Sequence, residues 1–120
     1  MRTTILFALL CFAAPISAQQ VPLSTYETII RADEVTMFGA ETYQNMARTY
    51  ARACGTTEAD IAEAWTLGIK LYRDEGVRPR GRLAEAMGVA SQMLQRGQKG
   101  DATCRELLAG AMIALMPRGR

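Results

Sequence analysis

Ile61, Trp65, Gly68 and Tyr72 recur at the spacing of one helix face, with Ala64, Leu67 and Leu71 beside them and Asp60, Glu63, Lys70, Arg73 and Asp74 opposite. This is the pattern of an amphipathic helix. Thr56 or Thr57 can cap its start, and the pattern runs to about Glu75, where Gly76 stops it. A lone Trp65 on such a stripe is read as core packing rather than as a partner contact. Upstream, Ser24-Thr25-Tyr26-Glu27 has the spacing by which a serine and a glutamate cap each other's free amides, so a helix is expected to start there. Tyr26, Ile30 and Met37 do not share a stripe with Ala40, Tyr43, Met46, Ala47, Tyr50 and Cys54. The face therefore changes near Thr36 to Gly39, which predicts two consecutive helices or one with a marked bend. Gly55 follows Cys54 at a place where a residue of positive φ ends a helix most easily.

Val77-Arg78-Pro79-Arg80-Gly81 carries both helix breakers and leads to a further stripe, Leu83, Met87, Ala90 and Leu94, closed by Gly97 and Gly100. Asp101 or Thr103 caps the last helix, where Thr103-Cys104-Arg105-Glu106 repeats the capping spacing. From Leu107 to Met116 every residue is apolar or glycine. That run is too short to span a bilayer, so it predicts a helix buried on most sides, with Ala109, Gly110 and Ala111 allowing close approach and Pro117 ending it. No segment alternates with the period of a strand. The expected fold is all-α: a small helical bundle of four to five helices with one disulfide.

The disulfide follows from the compartment. Arg2 precedes the apolar run Ile5 to Ala14, and Ile16-Ser17-Ala18 offers a small-residue cleavage site before Gln19. Residues 1–18 are thus read as a cleaved signal peptide and 19–120 as a single α-helical domain, exported to the periplasm or secreted, with no transmembrane helix after cleavage. Cys11 lies inside the signal and is preceded by Leu9-Leu10, which does not suit a lipoprotein signal. Two cysteines remain, Cys54 and Cys104, and an oxidising destination pairs them. They are too far apart for a redox Cys-x-x-Cys site, and two thiolates without histidine make a poor metal site.

The chain has no histidine, which removes histidine-activated nucleophiles, histidine acid–base chemistry and nearly all zinc and haem sites. No cofactor and no metal are expected. Residues 19–75 hold five bases and nine acids, and residues 76–120 hold eight and three. Such asymmetry reflects either a binding surface or two halves that pack with complementary charge, and the second is the simpler reading. The acid pairs Asp33-Glu34 and Asp74-Glu75 point in different directions on their helices and mark no cleft for glycoside hydrolysis. Ser24 and Ser91 have no motif linking them to Lys70 or Lys99. Met37, Met46, Met87, Met93, Met112 and Met116 are soft copper(I) donors in principle, but several fall on or beside the core stripes, where methionine fills gaps. There is no calcium loop of EF-hand spacing.

One motif remains. Pro79-Arg80-Gly81-Arg82 in the central linker is repeated as Pro117-Arg118-Gly119-Arg120. With Arg78, five arginines fall in two short segments outside the apolar stripes, a composition that takes phosphate or carboxylate groups through paired donors. Arg78, Arg80, Arg82, Arg118 and Arg120 are therefore the candidate site for an anionic partner. The export signal and the absence of interleaved aromatics argue against nucleic acid. The expected activity is non-catalytic: a binding module for another envelope or secreted macromolecule, as in inhibitors, immunity-type proteins or accessory subunits, with a protein partner or an anionic envelope ligand. A periplasmic stress chaperone is the alternative, and a histidine-independent enzyme acting on a cell-envelope substrate comes third.

Overall fold

The computed structural model describes residues 20–35 and 37–117. The segment read as a signal peptide, its expected cleavage site, Arg118 and Arg120 lie outside the described residues. Those residues form five helices and no strand: α1 (Leu23–Asp33), α2 (Ala40–Cys54), α3 (Glu58–Asp74), α4 (Arg82–Gln95) and α5 (Cys104–Leu115). None is long and apolar enough to cross a membrane. The helices run up and down around one core built from Tyr26, Tyr43, Ala47, Ile61, Trp65, Tyr72, Leu83, Ala90 and Leu108, with Met87 and Met112 filling between them. A disulfide joins Cys54, the last residue of α2, to Cys104, the first of α5, with their Cα atoms 6.1 Å apart.

The sequence signals hold at most helix ends. Gly55 caps α2 at φ 69°. The Thr57 hydroxyl accepts the Asp60 N–H at 3.1 Å, and Thr103 with Glu106 forms the expected reciprocal capping box. The start of α1 differs. Its N-cap is Pro22, whose carbonyl accepts the Thr25 N–H at 3.0 Å, and Ser24 lies inside the first turn without the capping bond expected of it. Pro22 already holds the φ that a chain entering a helix needs, so the helix begins ahead of the serine.

The last helix is also less covered than its composition implies. Cys104, Leu107, Leu108, Ala111 and Met112 are buried, whereas Gly110 and Ala114 are exposed and Ile113 is 53% exposed. Nothing approaches Gly110. Close approach occurs instead at Gly68 on α3, where an added Cβ would collide with the Met112 sulfur. On α3 the stripe from Ile61 to Tyr72 is buried as expected, but Leu67 at its flank is 49% exposed.

Four tyrosines and the tryptophan are fully or almost fully buried, and each directs its polar atom to a different helix. Tyr26 donates to Glu58, Tyr43 to Asp33, Tyr50 to the Cys104 carbonyl at 2.7 Å, Tyr72 to the Met112 carbonyl, and the Trp65 indole N–H to the Leu83 carbonyl at 3.0 Å. Each ring thus combines a large apolar contact with a bond that fixes two helices in register. The rings also make the fold sensitive to alkali. Burial, and then the hydrogen bond to the carboxylate of Glu58 or Asp33, raises the Tyr26 and Tyr43 hydroxyls well above the usual phenol range, and burial pushes Tyr50 up to about 12.

Below pH 10 both states hold these protons and stability does not depend on them. Above it the unfolded chain loses protons that the folded chain keeps, so stability falls by about 1.4 kcal/mol per pH unit for each hydroxyl held neutral. Phenolate absorbance is therefore expected to rise together with loss of helix in one cooperative step above pH 10. Phenolate formation with the helices intact would show that the rings are accessible.

Candidate functional site

The alternating run of the helices gathers the end of α1, the start of α2, the end of α3, the start of α4 and the end of α5 at one end of the bundle. Asp33, the last residue of α1, is completely buried there. Its Oδ1 accepts the N–H groups of Gly81 and Leu83, each at 2.9 Å, and its Oδ2 accepts the Tyr43 hydroxyl at 2.6 Å and the Ala84 N–H at 3.2 Å. The residue ahead of helix α4, Gly81, is its N-cap and offers no side-chain cap. The Asp33 carboxylate supplies it across the bundle and places negative charge where the helix dipole favours it.

Outside this buried tie lies the turn Gly76–Gly81. Pro79 is buried and anchors it, and its carbonyl accepts the Arg82 N–H at 3.1 Å. The three arginines before and after Pro79 converge on one surface depression of about 300 Å³, lined by Gly76, Val77, Arg78, Arg80, Arg82 and Pro117. The fold therefore brings the first Pro-Arg-Gly-Arg segment against the start of the second.

Their roles differ. Arg82 is half-buried and donates from Nε to the Leu115 carbonyl at 2.8 Å and from Nη1 to the Pro79 carbonyl at 3.3 Å, so it ties the start of α4 to the end of α5. Arg78 and Arg80 have side chains 66% and 64% exposed and face Glu34: Arg78 Nε donates at 2.8 Å, and Arg80 Nε stands 3.9 Å away.

Glu34 and Arg80 are the two residues other than glycine at positive φ among those described, at 61° and 49°. Each such residue costs about 1–2 kcal/mol of backbone strain, which glycine would relieve. An exposed ion pair returns about 1 kcal/mol or less. The rest is met by the turns themselves: Glu34 is the left-handed cap of α1, its N–H bonded to the Ile30 and Arg31 carbonyls, and Arg80 precedes Gly81, whose N–H reaches the Asp33 carbonyl.

Arg82→Ala is expected to lower stability by about 1–2 kcal/mol, because a half-buried charged donor to a helix end is lost. Arg80→Ala should change it by about 0.5 kcal/mol or less. Thermal melts of the two variants give the order, and equal effects would show that Arg82 is as solvated as its neighbour.

The charge asymmetry of the chain reappears as ion pairs across its halves. Arg78 and Arg80 meet Glu34, and Arg105 meets Asp60 at 2.9 Å and Glu63 at 3.0 Å, each pair joining a base of the second half to an acid of the first. Of the acid pairs, Asp33 caps α4 and Asp74 pairs with Lys70. The methionines are dispersed: Met87 and Met112 are in the core, Met46 flanks Met87, and Met37 is exposed.

A larger groove, about 400 Å³, runs between α2 and α4 over Met46 and Met87, walled by Thr42, Asn45, Thr49, Ala84, Gly88 and Ser91 without a charged side chain. Of the two, the arginine depression is the one that concentrates charge. No family model, curated protein or solved structure matches this chain.

Proposed function

We propose that this protein works by non-covalent binding, as a disulfide-stapled helical module exported to the envelope or secreted, and that it takes an anionic group of another macromolecule into the depression formed by Arg78, Arg80 and Arg82. The observation that carries this reading is the convergence of three arginine side chains on one surface depression, two of them facing the Glu34 carboxylate beside it. Arg82 is held by two carbonyls, so part of the donor array is ordered before a partner arrives, which lowers the entropy lost on binding. The other polar groups at this end support a binding role over catalysis: Asp33 accepts four hydrogen bonds and the Tyr43 hydroxyl is committed to it.

The test is recovery of a partner from envelope extract at low salt by the wild type and by the Arg78→Ala/Arg80→Ala double variant. A stoichiometric partner that the double variant fails to retain, and that the wild type releases as salt rises, is the expected result. Equal recovery by both proteins would remove the arginines from the function.

A further inference from the structure

We infer that the group entering the arginine depression belongs to an acidic protein segment that carries an apolar side chain next to its carboxylates; this rests on the binding reading above. The loop that supplies Glu34 continues into Met37 and Phe38, which are 78% and 44% exposed, and Met37 is the most exposed of the large apolar residues described. The loop lies against the arginine turn, since the Val35 side chain comes within 3.6 Å of the position a Cβ on Gly81 would take. Arginine, methionine and phenylalanine are the residue types enriched where proteins meet, and here they share one end of the bundle.

Charge distribution selects the shape of the partner. Glu41, Asp74, Glu75 and Glu85 are exposed around the same end. A planar anionic membrane would meet these carboxylates along with the guanidinium groups, and the two would largely cancel. A narrow segment can place one carboxylate between Arg78 and Arg80 while its apolar neighbour covers Met37 and Phe38.

A carboxylate already occupies two of these arginines from beside the depression: Glu34, whose side chain is only 31% exposed, faces Arg78 and Arg80. Glu34 is thus a built-in competitor, which an incoming acid must displace and a neutral group has no means to displace. It sets specificity, and its pair with Arg78 is weak enough to yield.

The experiment is titration of the full mature protein against a short labelled peptide rich in glutamate and containing a phenylalanine, beside the same peptide with alanine at that place and vesicles rich in anionic phospholipid. Arg78→Ala and Arg80→Ala are each expected to weaken peptide binding several-fold, while Arg52→Ala, on an exposed residue near the other end of α2, leaves it unchanged. Glu34→Gln is expected to tighten binding by up to about fivefold, the equivalent of an exposed ion pair worth about 1 kcal/mol. A residue with only a structural role would not improve binding when altered. Phe38→Ala should weaken the phenylalanine peptide and leave the alanine peptide unaffected.

If the arginine variants weaken both peptides while Glu34→Gln and Phe38→Ala change nothing, the anion site stands and this inference fails. If the arginine variants behave like Arg52→Ala, the inference falls together with the binding reading. Stronger capture by vesicles than by either peptide would also overturn it, in favour of a lipid surface.

Discussion

Replacing Asp33 by alanine is expected to lower the free energy of unfolding by about 3–5 kcal/mol, since four donors lose their acceptor at once and each buried donor left without one costs about 1–3 kcal/mol before relaxation. The loss is cooperative because the carboxylate holds three parts together: its own helix, the Tyr43 ring on α2 and the first turn of α4. The conservative variant Asp33→Asn would keep one acceptor oxygen and turn an amide against backbone N–H groups, so an intermediate loss is expected. Tyr43→Phe removes one donor and leaves the carboxylate its amide partners, which should cost about 1 kcal/mol. Urea unfolding of the three variants gives the order. If Asp33→Ala costs no more than Tyr43→Phe, water reaches the start of α4 and the burial of Asp33 is not what holds it.

Cys54→Ser is expected to cost about 2–5 kcal/mol. The bridge closes a separation of 50 residues, and removing it restores unfolded-state freedom worth about 4 kcal/mol on loop-entropy grounds. Against a typical total of about 5–15 kcal/mol, that is a large fraction. The folded state should still form, because the Tyr50 hydroxyl continues to bond the Cys104 carbonyl and Arg105 continues to bridge Asp60 and Glu63 at the same end. A reductant should lower the melting temperature of the wild type and leave that of the variant unchanged. An equal response in both would mean that the thiols are reduced in the native protein.

The helices and the disulfide were legible because each rests on short-range chemistry. Thr57, Thr103 and Gly55 act within one turn, and the α3 stripe needs only the helical period. Ser24 misled because a neighbour, Pro22, competes for the same helix start. The burial of α5 was overstated because composition gives no direction: Gly110 meets no neighbour and Ile113 lies at the open rim of the seam with α3, which the run of apolar letters does not reveal.

The arginine segment was visible as a repeat, but its organisation was not. Glu34 and Arg78 are 44 residues apart, and Asp33 and Leu83 are 50 apart. One local signal was available. No serine, threonine, asparagine or aspartate stands at the start of α4, so its amides required an acceptor from elsewhere. A single sequence shows that the acceptor is missing and not which residue provides it.

The staple has a consequence for proteolysis. Cys54 precedes the exposed turn at Arg78 and Arg80, and Cys104 follows it. Trypsin cleaves after arginine, and exposed turns are where native chains are nicked first. Arg78 is followed by proline, which trypsin does not cut before, so the cut falls after Arg80 and yields two fragments that stay covalently joined, travel as one species without reductant, and separate only when the bridge is reduced. The nicked molecule also keeps the whole helical framework on both sides of the cut, so the arginine turn can be severed while the body that presents it stays assembled.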